Sequence, residues 1–262
     1  EKIQKNTSTM IPDQQFLSQE QVATTVLTLS DDAQAKILNG KIIPGDRVFY
    51  PVKSHIRSSV PKVEKNNLDG KNVVISGGDD QRTDHIASMI EEKGGQISSS
   101  QESKSDLFIY LTGNVPDFSK LTELPRNEWD KLVDKFINIP AAFIQKAVNK
   151  FVPGGSDDPR LFKDVKGRIV IIGPDLPAGK KISGHERAKV EVFRGAMRPF
   201  ATTVNQEFSD VLKSNVRSFL ILPGTVDGKE RNDENIMNTI NYLMSDEAGS
   251  SSEVIFCPDE TR

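Results

Sequence analysis

The chain has 262 residues, 27% of them charged and 36% hydrophobic, with a net charge of −3. That length suits one large domain, or one full domain plus a fragment. The interspersed charges leave no basic footprint for nucleic acid or a membrane surface, and no apolar run approaches the roughly 20 residues of a membrane span.

Residues 1–15 are polar. The opening Glu1-Lys2-Ile3-Gln4-Lys5 has neither an initiator Met nor an apolar stretch, so no signal peptide is expected, and the start is expected to be incomplete or processed. Ser18 reads as the N-cap of a helix with Val22, Val26, Leu27 and Leu29 on one face, ended by Ser30-Asp31-Asp32-Ala33. Lys41-Ile42-Ile43 then reads as a short strand before Pro44-Gly45. Residues 51–70, with Pro51, Pro61 and several lysines, are expected to be a linker.

A new unit begins at Lys71. Asn72-Val73-Val74-Ile75 is a strand stopped by Ser76-Gly77-Gly78. Asp84 to Lys93 carries Ile86, Met89 and Ile90 at helical spacing and ends at Gly94-Gly95. Gln96-Ile97 starts a weak second strand, and Asp106 to Leu111 is a third, stopping at Thr112-Gly113. A long helix is expected over Arg126 to Phe151. Arg168 to Ile172 is a buried strand ending at Gly173-Pro174, and a second long helix opens near His185 and runs past Val204. Val216 to Leu222 is a further strand, closed by Pro223-Gly224. Alternating strands and helices imply an α/β fold, a doubly wound parallel sheet of the Rossmann type with right-handed crossovers.

The tail repeats the beginning. Asn235 to Ala248, a helix running into Ser245-Asp246-Glu247-Ala248, echoes Gln21 to Ala33. Each copy precedes a short strand, at Ile42-Ile43 and at Val254-Ile255-Phe256. Two amphipathic helices can look alike by chance; otherwise the chain holds two domain endings and one beginning. On that reading residues 1–50 are the closing helix and strand of a preceding domain, and 71–262 form the domain proper. The lone Cys257 excludes a disulfide within the chain and fits a reducing cytoplasm. His55, His85 and His185 lie far from it, so no metal site is expected.

Four features carry a resemblance to the short-chain dehydrogenase/reductases. Asn138, after Trp129-Asp130-Lys131, matches the family's Asn. Lys189 matches the Lys of its Tyr-x-x-x-Lys helix, Pro223-Gly224 the motif that closes the next strand, and Ser245 to Ala248 the turn near its end. The resemblance covers residues 71–258, and 16–48 in part. It implies a dinucleotide fold in which Asn138 and Lys189 hold catalytic positions.

The departures from the family are at the chemistry. The Tyr position is His185, and the Ser position falls at Ile172-Gly173, where there is no hydroxyl. The family turn Thr-Gly-x-x-x-Gly-x-Gly lets the backbone approach a pyrophosphate. Here it reads Ser76-Gly77-Gly78-Asp79-Asp80-Gln81-Arg82-Thr83, with Gln81 and Thr83 at the second and third glycine positions. The readings are a retained cofactor site or a tight turn kept for folding; His185 is either a proton donor or a surface or capping side chain. Ser76 to Thr112 also leaves room for one strand–helix–strand step of roughly 30 residues where the family has two, so one strand and about one helix are expected to be missing.

The resemblance is greatest to the C-terminal reductase-like region of bacterial bifunctional malonyl-CoA reductases. It implies a degenerate domain with no cofactor of its own, in a parent enzyme that uses NADPH. The implied partner is a catalytic reductase domain or subunit completed by residues 16–48, in an oligomer without nucleic acid or membrane. A divergent active reductase using His185 and Lys189, and a non-catalytic subunit of another reductase assembly, are the alternatives.

Overall fold

Among the described residues seven short segments pair side by side, every pair parallel, in the order β1-β7-β6-β5-β4-β2-β3. They are β1 (His55–Arg57), β2 (Asn72–Gly77), β3 (Gln96–Ile97), β4 (Leu107–Leu111), β5 (Lys166–Ile172), β6 (Asn215–Ile221) and β7 (Glu253–Phe256). Central strands β4 and β5 are apolar runs because helices cover both faces: all of β4 and all of β5 after Lys166 is buried.

The computed structural model describes residues 55–57, 63–78, 80–98, 105–117, 120–151, 165–176, 184–212, 214–224, 233–250 and 253–258, together with Gln19 and Ala23. The chain divides into two units, Glu1–Lys53 and Ser54–Arg262. Gln19 and Ala23 are helical and exposed. The rest of the expected helix from Ser18 and the strand at Ile42-Ile43 lie outside the described residues.

Two helical layers sandwich the sheet. On one face α1 (Asp80–Glu92) and α6 (Asp233–Leu243) pack Ile86, Ile90, Ile236, Met237 and Ile240 onto Val73, Ile109, Val170 and Phe219. On the other, a continuous helix packs with α4 (Gly184–Ala196) and α5 (Thr203–Asp210) onto Val74, Phe108, Ile169 and Leu220. That helix is α2 (Arg126–Val133), a π turn (Asp134–Asn138) and α3 (Ile139–Phe151). The short α7 (Asp246–Ser250) leads into β7. Alternating residues of each strand face opposite layers, so the register places both cores at once.

The expected architecture is present, with physical corrections. The helix expected past Val204 breaks after α4, because Pro199 cannot donate to the helical ladder; a single 3-10 turn, Arg198–Phe200, bridges to α5. The long helix over Arg126–Phe151 contains the π turn just before Pro140, which relieves the missing N–H of that proline. The stretch 51–70 is not a plain linker. It holds β1, paired in parallel with β7, while Leu68 is fully buried and Asn67 N–H donates to Asn241 Oδ1 at 2.7 Å.

Handedness also departs from expectation. Steps β4→β5 and β5→β6 advance one way across the sheet with their helices on one face. Step β6→β7 advances the same way, but its helix α6 lies on the opposite face, beside α1. Its hand is therefore opposite to the others, against the usual right-handed rule.

From β2 onward the spatial order reads second, first, third, fourth, fifth, sixth, and β3 ends the sheet. The dinucleotide order places a further strand beyond. Among the described residues no strand pairs beyond β3 on that side, the side that would cradle adenine.

Side chains finish what the ladders leave open. The β6–β7 pairs run over Leu220 and Ile221. At Ser218, Asn205 of α5 supplies the partners instead: its Oδ1 accepts from Ser218 N–H and its Nδ2 donates to Ser218 C=O, both at 2.7 Å. Arg168 reaches from β5 to the C-terminal end of α6, donating to Leu243 C=O at 3.2 Å, where a cation suits the helix dipole. Burial first, then Arg217, pulls its pKa below the usual arginine value, and Asp246 opposes them.

Candidate functional site

In open sheets of this kind a ligand lies outside the carboxyl ends of the strands, where the order reverses. That switch point falls between β2 and β4, so the turn Ser76–Thr83 and the loops after β4, β5 and β6 define the candidate site. Among the described residues no group of His, Cys, Asp and Glu could hold a metal, and no helix is long and apolar enough to cross a membrane.

The turn is built for closure. Gly77 and Gly78 both take positive φ, at 82° and 72°. Gly78 N–H donates to Leu111 C=O of β4 at 2.7 Å. Thr83, at the third glycine position, donates its hydroxyl to Gly77 C=O at 2.6 Å and locks the helix start onto the strand end. Arg82 is buried, and its guanidinium meets Asp175 Oδ1 at 3.2 Å from beyond β5. Over the adjacent loop, Lys135 donates to Asn114 C=O at 2.9 Å. A Cβ built on Gly113 would stand 3.5 Å from Lys135 Nζ and 3.8 Å from Gly78 Cα, so the lysine ammonium and the strand-end turn both lie close to Gly113.

These residues do not fit a dinucleotide. A pyrophosphate needs bare backbone at the helix start; here Thr83 occupies it, Arg82 is engaged with Asp175, and Lys135 covers the neighbouring loop.

Two of the reductase positions have partners of their own. Lys189, 7% exposed, pairs with Asp117 Oδ1 at 2.9 Å. Asn138 ends the π turn, is exposed, and donates to Asp134 Oδ1 at 2.5 Å. It lines a groove of about 700 Å³ with Val74, Tyr110 and Phe143, on the sheet face that carries α3. His185 stands in the first turn of α4, one turn before Lys189; its side chain lies outside the described residues. At the expected Ser position Ile172 is fully buried, and a Cβ on Gly173 would lie 2.7 Å from Leu222 Cδ2. Tyr110 does not replace the missing Tyr. Its ring lies against Gly77, and burial raises its pKa, the reverse of the lowering a reductase Lys provides.

Two residues outside the sequence-level reading organise the site. Arg194, 1% exposed, donates from Nη1 to Pro174 C=O at 3.0 Å and to Pro223 C=O at 2.5 Å, joining the loops after β5 and β6. Asp175 closes onto Arg82. Arg194 carries one usable signal, its place one turn after Val190 on an apolar helix face; the other has none.

Comparison with known proteins bears on this geometry. A short chain dehydrogenase from Mycobacterium smegmatis superposes with a TM-score of 0.51 at 11% identity, over 78% of this chain and 98% of its own. The Escherichia coli oxidoreductase yciK gives 0.50 at 14%, over 77% and 100%. The fold is that of the short-chain dehydrogenase/reductases. The family model for the BRCA1 C Terminus (BRCT) domain matches residues 63–133. That stretch holds β2, α1, β3, β4 and α2, and stops before β5. Comparison with curated proteins gives no match.

Proposed function

We propose that this chain is the non-catalytic, reductase-like portion of a larger NADPH-dependent reductase, on the pattern of the malonyl-CoA reductases. The parent would carry malonyl-CoA through malonate semialdehyde towards 3-hydroxypropionate, and this chain would supply scaffold and interface. Residues 16–48 would complete a catalytic reductase domain or subunit, within an oligomer. The observation that carries the reading is the ion pair of Lys189 with Asp117 at 2.9 Å, together with Ile172 and Gly173, neither with a hydroxyl, at the expected Ser position. A reductase needs that lysine beside a tyrosine and that hydroxyl on the substrate oxygen. Calorimetry with NADPH tests the reading: no binding is expected at micromolar concentration, and a micromolar dissociation constant would overturn it.

The second reading is a divergent reductase, favoured by His185 and Lys189 standing one turn apart on α4. Lys189→Ala and His185→Ala separate the two in the parent enzyme. The non-catalytic reading expects near wild-type turnover from both. A hundredfold fall with the fold intact would favour the divergent reductase.

A further inference from the structure

We propose that the switch-point crevice carries its own anion: the Asp175 carboxylate, set on Arg82, stands in for a ligand phosphate and ties the two halves of the sheet together. The proposal takes the crevice as closed to a dinucleotide, and goes on to say what closes it.

Arg82 sits in the first turn of α1, directly after the strand-end turn where a phosphate would be held, and where the helix dipole favours negative charge. Asp175 comes from the loop after β5, which is separated from β2 by β4. Neighbouring strands stand about 4.8 Å apart, so the loop spans roughly 10 Å to reach Arg82. Two hydrogen bonds hold it in that position, and a third fixes the asparagine that makes one of them. Asp175 N–H donates to Asn114 Oδ1 at 3.1 Å, Asn114 C=O accepts from Lys135 at 2.9 Å, and Pro174 C=O accepts from Arg194 at 3.0 Å. Side-chain exposures of 5% for Arg82 and 13% for Asp175 put the ion pair largely out of water, where one partner without the other is costly. The pair joins residues 93 apart in sequence and bridges the first β–α step to the later half of the sheet.

Thermal denaturation of the full chain in chloride buffer, with and without excess inorganic phosphate, tests this. Asp175→Ala should lower Tm by about 10 °C. Phosphate should restore at least half of the loss by occupying the vacated place on Arg82. Asp175→Asn, which keeps the shape and removes only the charge, should respond to phosphate in the same way and serves if the alanine variant does not fold. Arg82→Met should lose similar stability without phosphate recovery, and the double variant should lose less than the two single losses added together. An Asp175→Ala variant as stable as wild type would overturn the proposal. So would a loss in both Asp175 variants that phosphate leaves untouched, or an equal phosphate effect on the wild type. NADPH binding by the wild type is the separate arm. It would overturn the non-catalytic reading, while the phosphate response of the Asp175 variants would still decide this one.

Discussion

Gly77→Ala is expected to leave residues 54–262 unable to fold stably. A Cβ at position 77 would lie 2.2 Å from Leu111 C=O and 2.8 Å from Tyr110 Cε2, on a backbone whose φ is 82°. The backbone conformation alone costs an L-residue about 1–2 kcal/mol. The overlap is worse, because its main partner is the backbone of a central strand rather than a movable side chain. Leu111 is paired with Gly77 on one side and Ile172 on the other, and its carbonyl already accepts from Gly78 N–H. Relieving the clash means unpairing the end of β4, where every residue is buried. Together the costs reach several kcal/mol, against a typical stability of about 5–15 kcal/mol. Gly113→Ala is the internal control. Its φ is 69°, but the nearest atom to its Cβ would be the lysine Nζ at 3.5 Å, so only the backbone cost of about 1–2 kcal/mol applies. Circular dichroism and thermal melts of both variants decide the matter. A Gly77→Ala protein that melts within a few degrees of the Gly113→Ala protein would contradict the argument.

Arg194→Met is expected to lower Tm by about 10 °C, from a loss of about 3–5 kcal/mol. The guanidinium solves a problem set by two prolines. Pro174 and Pro223 follow β5 and β6, and each offers a carbonyl but no N–H. Two acceptors cannot bond to each other, so the strand ends need an outside donor. Arg194 Nη1 serves both carbonyls from the interior, with Glu191 Oε2 3.8 Å from its Nε. Methionine keeps the apolar stem and removes the donor, leaving two buried carbonyls without it. Arg194→Lys should not recover the loss, because an ammonium lacks the planar fork and sheds water less readily. Recovery by lysine, or a methionine variant within about 2 °C of wild type (below 1 kcal/mol for a unit this size), would show that the bridge contributes little.

Periodicity and punctuation made most of the elements readable. The Val-Ile-Leu runs of β2, β4, β5 and β6, the helix ended by Gly94-Gly95, and the proline stops after β5 and β6 all have local causes. Gly95 N–H donates to Ile90 C=O at 3.0 Å and Gly94 N–H to Glu91 C=O at 2.8 Å, a helix ending that two adjacent glycines announce. The loss of glycine at positions 81 and 83 was equally legible, because a phosphate turn requires bare backbone at known offsets. What the sequence by itself determined was therefore the sheet, its helices and the departure of its first turn from a cofactor motif.

Only the tertiary structure decided what fills the crevice and what borders the sheet. His55-Ile56-Arg57 has no strand pattern of its own; it pairs because β7 presents an unpaired row of N–H and C=O groups beside it. Asn205 reads as an ordinary polar helix residue until its amide is found bonded to both Ser218 N–H and Ser218 C=O. Placing α6 beside α1, with the hand of its crossover reversed, depends on which face of the sheet lay open. The engagement of Lys189 by Asp117 and of Arg82 by Asp175 spans 72 and 93 residues. The reason is physical: hydrophobic period and turn chemistry act over a few residues, whereas the partner of a buried charge is chosen by which loops the folded sheet brings together.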